Sequence, residues 1–238
     1  MTRTLGSISI FPYDFDPAGW ARCDGSTLPG DASEALFSLL MDTFGGDPNQ
    51  FTFGLPNLDG AAPKGCRYCI SLFGAYPQGR YEAVLGQTVI WAINNPTPTN
   101  LVECNGQSLP ENQNMYLKQL IGGRFGTEAG KFKLPDLRDR YPAKCRYMLC
   151  RDGYDPTSPS DLLVGEIVLL PFEVPDVGPQ KSWQLCDGSQ FSVNENPILA
   201  RLLGDRFGGA GRFPDLRAAA PPKCNYYMSI RGVLPSRS

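Results

Sequence analysis

The chain has 238 residues, 42% of them hydrophobic and 19% charged, which is the composition of a folded globular protein and not of a disordered one. Its net charge of −2 offers no basic footprint for neutralising phosphates, so nucleic acid is not an expected partner. Histidine is absent, which excludes Ser-His-Asp and Cys-His catalysis and any histidine-ligated metal.

No apolar run approaches the roughly 18 to 20 residues that span a bilayer, and the N-terminal stretch lacks the pattern of a secretory signal. Membrane insertion is therefore not expected, and synthesis in a cytosol is. Twenty-six glycines and 22 prolines imply many turns and short elements.

Taken in chain order, the predicted elements occur three times. An opening strand is expected in GSISI, QTVIWAI and GEIVLL, and a closing strand in CRYCISLFG, CRYMLCRDG and CNYYMSIRG. Between them lies a turn opened by Cys23, Cys104 or Cys186 and continued by Asp24-Gly25, Asn105-Gly106 or Asp187-Gly188. A Phe-Gly pair begins 21 residues after each of these cysteines, at Phe44, Phe125 and Phe207. Next come LPNL, LPDLR and FPDLR, and ten residues beyond each proline stands Cys66, Cys145 or Cys224. The spacing predicts three units, 1–80, 81–159 and 160–238, meeting near YPQGRYEAV and YDPTSPSDLLV. Two loops vary in length between units while the frame holds, as surface connections can.

One segment per unit has helical spacing, at Leu36, Leu39, Leu40 and Phe44, then Leu117, Leu120, Ile121 and Phe125, then Leu199, Leu202, Leu203 and Phe207. A helix of about three turns is expected. Asp31 or Ser33, Asn112 and Asn194 are the expected N-caps, Pro197 suits a first turn, and Gly45, Gly122 and Gly204 are expected to close the helices.

The motifs admit bland and sharp readings. Asp or Asn followed by Gly makes a tight structural turn, because the side chain accepts local backbone hydrogen bonds and glycine takes positive φ. The sharp alternative, a thiol nucleophile, would need a base or helix dipole, and neither is evident nearby. Asp136 with Arg138 and Asp215 with Arg217 read as structural brackets for the turn before the closing strand. Cys66 and Cys69 form a CxxC that the other units do not repeat, so no zinc is expected. The six matched cysteines allow one disulfide per unit, Cys23–Cys66, Cys104–Cys145 and Cys186–Cys224, or equally a set of buried free thiols. Cys69 and Cys150 would cross-link two units or simply pack. No catalytic residue emerges, and no phosphate or dinucleotide fingerprint occurs.

The order of opening GxI strand, GWxxCDG turn, short helix, FGG, LPDLR and a closing strand ending GxxPSR resembles the phage tail-collar domain, also found in microcystin-dependent proteins. The resemblance covers nearly the whole chain three times. It implies an α+β fold of three tandem β-rich collar modules, each with one short helix, with a pseudo-threefold arrangement as a further expectation. It also implies a non-enzymatic structural component of a phage tail, whether tail fibre, collar or baseplate-attached, located in the virion after synthesis in the host cytoplasm. The expected partners are other tail or fibre subunits, and no cofactor is implied. The alternative is an adhesin recognising host surface glycans, on a phage tail or bacterial surface, through Tyr13, Phe15 and Trp91. Two positions depart from the pattern, Asp59 where arginine is expected and Leu101 in place of the tryptophan held by Trp20 and Trp183. The histidine-bearing insertion of many relatives is missing.

Overall fold

The structure, a computed structural model, describes residues 3–156, 162–174 and 182–237. The first unit runs β1 (Ile8–Phe11), β2 (Trp20–Arg22), β3 (Thr27–Pro29), α1 (Glu34–Leu40), β4 (Thr52–Gly54) and β5 (Arg67–Ser71). The second runs β6 (Thr88–Trp91), β7 (Leu101–Glu103), β8 (Ser108–Pro110), α2 (Met115–Ile121), β9 (Thr127–Glu128), β10 (Lys131–Lys133) and β11 (Arg146–Cys150). The third runs β12 (Ile167–Leu170), β13 (Trp183–Leu185), α3 (Pro197–Leu203) and β14 (Asn225–Ser229). The fold is α+β, mostly β, and the three-part order follows the repeats. The second expected boundary, at 159 and 160, lies outside the described residues.

Each helix has seven residues, two turns and not three. The chain leaves the helical conformation directly afterwards, at Met41 (φ 46°), Gly122 (φ 62°) and Gly204 (φ 56°), so the phenylalanine that completes each stripe lies past the helix end. Met41 therefore takes the role expected of Gly45. Ser33 caps α1 by accepting from the Leu36 amide at 3.3 Å. The other helices begin two residues later than expected, after Asn114 and Asn196 instead of Asn112 and Asn194. Their side-chain amides are turned back to the chain behind, donating to Pro110 O (2.9 Å) and Ser192 O (3.4 Å). Pro197 is the first residue of α3, where its missing N–H costs nothing. Each helix buries two residues on one side, Leu36 and Leu40, Leu117 and Ile121, or Leu199 and Leu203.

Nine strands make one sheet. In every unit the closing strand is sandwiched between the opening strand and the strand leading into the Cys-Asp/Asn-Gly turn, giving β1–β5–β2, β6–β11–β7 and β12–β14–β13, all antiparallel. The opening strands are buried almost throughout, which requires cover on both faces and at both edges. Their free edges meet one another. Ile10 pairs with Ile167, Ile90 with Ile8, and Leu169 with Thr88. Aligning the units makes Ile10, Ile90 and Leu169 one position and Ile8, Thr88 and Ile167 another, so each unit offers its second position to the first position of a neighbour. The pairing runs cyclically through all three units and leaves no opening strand with a bare edge.

A glycine in each opening turn makes the close approach possible. Gly6, Gly86 and Gly165 have φ of 74°, 82° and 89°. A Cβ would stand 2.5 Å from Ile93 on Gly6, would overlap the Phe172 ring on Gly86, and would stand 2.8 Å from Tyr13 on Gly165. Ile93, Phe172 and Tyr13 each belong to the next unit in the cycle.

Candidate functional site

The three Cys-Asp/Asn-Gly turns are corners held by hydrogen bonds within each unit. Asp24, Asn105 and Asp187 each accept through Oδ1 from the amide two residues on, at 2.9, 3.1 and 3.0 Å. Gly25, Gly106 and Gly188 take φ of 83°, 78° and 78°, and their amides donate to the carbonyls of Pro56, Pro135 and Pro214. The cysteine carbonyls of Cys23, Cys104 and Cys186 accept from Leu58, Leu137 and Leu216 at 2.8 to 2.9 Å. The turn and the proline motif are thus two halves of one corner, which is why both recur in every unit.

At the same corners Arg138 donates to Asp136 through Nε (2.9 Å) and Nη2 (2.6 Å), and Arg217 binds Asp215 with the same geometry. Both pairs stand in solvent. The Arg217 hydrogen bonds hold the Asp215 carboxyl at about 2, below the usual carboxylate value near 4. Because the folded-state value is the lower one, the pair favours folding above pH ~4 and that contribution is lost as pH falls through ~2. An NMR titration of Asp215 should therefore show a midpoint near 2, moving back toward 4 in Arg217→Ala. A wild-type midpoint near 4 would refute the bracket.

All eight cysteines are free, and burial pushes every thiol above its ordinary range, so none is prepared as a nucleophile at neutral pH. The within-unit links Cys23–Cys66, Cys104–Cys145 and Cys186–Cys224 are not formed, and the strand register explains this. The β2–β5 pairing ends at Arg22 opposite Cys69, and the Cys23 amide then donates to Tyr68 O (2.9 Å). Cys66 is two residues further on, a diagonal neighbour, and diagonals in antiparallel pairs are about 7 to 8 Å apart, beyond the usual Cα span of a disulfide. Cys104 beside Tyr147 and Cys186 beside Tyr226 repeat the arrangement. Cys69 lies against Asp16 (3.7 Å), and Cys150 against Asn100 and the Asp152 carbonyl (3.4 Å each), so each packs within its own unit. Among the described residues no three Cys, Asp or Glu side chains are grouped to hold a metal ion, and no helix is long and apolar enough to cross a membrane.

The aromatic residues expected at the surface are mostly inside. Tyr13 is 1% exposed and Trp91 is 0% exposed. Tyr13 stacks between Phe11 and Phe15, at 5.5 and 5.1 Å, and its hydroxyl donates to Val164 O in the third unit. Trp91 meets Tyr81 edge-on at 5.8 Å. Phe15 is half-buried beneath the Arg237 guanidinium (4.9 Å). The FPYDFDP loop is therefore a clasp between the first and third units. Across the same seam the Ala18 amide donates to Ser236 O (2.8 Å) and Arg237 lies beside Asp14 (3.8 Å).

Beneath this clasp lies a buried carboxylate at a position that holds Ser7 and Gln87 in the other two units. The buried Glu166 carboxylate accepts from Leu163 N (3.0 Å), from Ser9 Oγ (2.7 Å) and from Arg3 Nη2 (3.2 Å). Arg3 also lies over the Trp20 ring at 4.6 Å. At the centre of the sheet Tyr68, Tyr147 and Tyr226 line a cavity of about 20 Å³, room for roughly one water.

The description of the Phage Tail Collar Domain matches this chain three times, over residues 6–63, 86–142 and 165–221. The chain belongs to the phage tail collar family. Comparison with curated proteins and with solved structures gave no match. In collar terms, the departure at Asp59 is a swap of polarity. Arg22 on β2 reaches across and binds Asp59 through Nε and Nη2 at 3.0 to 3.2 Å, so the first collar unit keeps an ion pair at the corner with the arginine supplied by another strand. Glu166 and Arg3 were not singled out by sequence. The available signal was the residue after the opening glycine, which is Ser7, Gln87 and Glu166 in the three collar units. Gln87 and Glu166 both accept a backbone amide three residues back, but only the glutamate adds a charge.

Proposed function

We propose that this protein is a non-enzymatic structural component of a phage tail in which three collar units fused in one chain close on one another and take the place of three separate chains. The observation that carries this reading is the cyclic pairing of β1, β6 and β12. A single unit of about 80 residues cannot cover both edges of its opening strand, and the other two units supply that cover. Modules bounded at 1–80, 81–159 and 160–238, related by a pseudo-threefold axis through the tyrosine cavity, follow from the same reading. Fusion lets the three corners diverge, as the Arg22–Asp59 swap illustrates, so three different contacts can be offered to neighbouring tail or fibre subunits. That suits a joint between parts of unequal symmetry. Light scattering on the purified protein should give a monomer, and a cryo-EM map of the native particle should place one chain at each collar position. Three chains intertwined at one position would overturn the proposal.

A second reading, an adhesin for host glycans, loses Tyr13 and Trp91 but gains another surface. A groove of about 410 Å³ between α2 and Arg151–Pro156 is overhung by Tyr116, 73% exposed, and edged by Asn114, Gln119 and Asp152. Glycan-array binding that is lost in Tyr116→Ala would favour it over a purely structural role.

A further inference from the structure

The matched cysteines acquire different partners once the units are closed on one another. Gly65, Lys144 and Lys223, each just before the second cysteine of its unit, all take a left-handed φ, of 77°, 61° and 63°. That turn lays each loop across the helix end of another unit. A Cβ on Gly65 would stand 2.8 Å from the Phe207 ring. Lys144 Nζ donates to Thr43 O. Lys223 Nζ donates to Arg124 O at 2.7 Å and lies 6.0 Å from the Phe125 ring. The second cysteines are thereby carried from unit 1 to unit 3, from unit 2 to unit 1, and from unit 3 to unit 2.

The strand register gives the same order independently. Tyr68 pairs with Ile10, and Ile10 with Ile167 of the third unit. Tyr147 pairs with Ile90, and Ile90 with Ile8 of the first. Tyr226 pairs with Leu169, and Leu169 with Thr88 of the second. Each tyrosine stands two residues after the second cysteine of its unit, so the register carries the second cysteines toward the same neighbouring units as the loops do.

We propose that the six cysteines form three pairs across the seams, Cys23 with Cys145, Cys104 with Cys224, and Cys186 with Cys66, and that these are sites of oxidative cross-linking. The electrostatics agree, since beyond the effect of burial the thiol of Cys23 is pushed up by Cys69 of its own unit and then by Cys145 across the seam, that of Cys104 by Cys224, and that of Cys186 by Cys66. The chemistry needs a disulfide oxidant, for example oxidised glutathione. One protein thiolate attacks it, forming a mixed disulfide and releasing one glutathione thiol. The partner thiol then displaces the second glutathione, so two protein thiols become one disulfide and the oxidant becomes two thiols. Cys66 is the most exposed cysteine of the six, so Cys66–Cys186 forms first. The other two pairs react when a seam opens.

The test is peptide mapping of the full chain, incubated with oxidised glutathione to a plateau just below its melting temperature, then alkylated and digested without reduction. The expected products are the Cys66–Cys186, Cys23–Cys145 and Cys104–Cys224 peptides, in that order for the first. Cys66→Ser should remove the Cys66–Cys186 product alone. Each link closes a loop of about 120 residues and should raise the melting temperature by roughly 10 °C. Within-unit peptides such as Cys23–Cys66, or six alkylated thiols at the plateau, would overturn the assignment. A chain that light scattering shows to be monomeric but that yields within-unit links would reject these pairs without touching the single-chain collar.

Discussion

Glu166→Ala should destabilise the protein by about 3 kcal/mol or more, since removing one member of a buried ion pair leaves its partners desolvated and unpaired. Three donors lose their acceptor at once, namely the Leu163 amide, the Ser9 hydroxyl and the Arg3 guanidinium. Arg3 is partly exposed and recovers some solvation, whereas the carboxylate side chain is only 2% exposed, so most of the cost comes from the amide and hydroxyl. Glu166→Gln separates charge from shape. It preserves an acceptor for Leu163, as Gln87 does in the second unit, and should cost roughly half as much. Urea unfolding monitored by tryptophan fluorescence measures both. Equal losses for Ala and Gln would mean that the charge on Glu166, and not its hydrogen bonding, holds the seam, and no loss for either would remove its role as a lock.

Trp91→Ala should cost about 4 kcal/mol, in the range found for deleting a fully buried aromatic side chain. Trp91 is the largest side chain with no exposure, sitting on an opening strand opposite Arg146 and against Tyr81. Its indole N–H meets no acceptor among the described residues. A buried donor without a partner is a standing cost, so replacing it by an apolar ring recovers part of what the smaller ring loses. Trp91→Phe should therefore change stability by less than about 1.5 kcal/mol. Calorimetric melting of the two variants distinguishes the cases, and a Phe variant as damaged as the Ala variant would point to an acceptor for the indole N–H.

The legibility of this fold from sequence divides along the range of the interactions. Whatever is fixed within a few residues was readable. The helices follow from Leu36/Leu40 and its equivalents, the turns from Asp24-Gly25 and its equivalents, and the three-unit frame from constant spacings. Local errors were of one turn or two residues, because stop signals such as left-handed Met41 carry no compositional mark and because Asn112 and Asn114 look equally able to cap. A pseudo-threefold arrangement could be expected, but which residues meet between units was not readable. The partner of Cys66 depends on which edge of β1 faces β12, and no spacing along the chain encodes that. Tyr13 and Trp91 failed for a related reason. Tyr13, in a variable loop, looks exposed until Gly165 beneath it reveals that another unit is pressed against it, and Trp91 closes an opening strand whose edges the neighbouring units cover.

The cyclic pairing of opening strands also dictates when the molecule can fold. Two of its seams join units that are consecutive in the chain, but the third joins Ile10 to Ile167 and Arg3 to Glu166, a separation of 163 residues for the latter pair. A ribosome making this chain exposes β1 long before β12 exists, so the first unit waits with one apolar edge unsatisfied until the third unit is being made. Contacts of such long range are slow to form, and the waiting edge is an invitation to aggregate. Nascent chains stalled before the third unit should thus be captured by chaperones or form inclusion bodies, while synthesis of the third unit lets β12 close the circle.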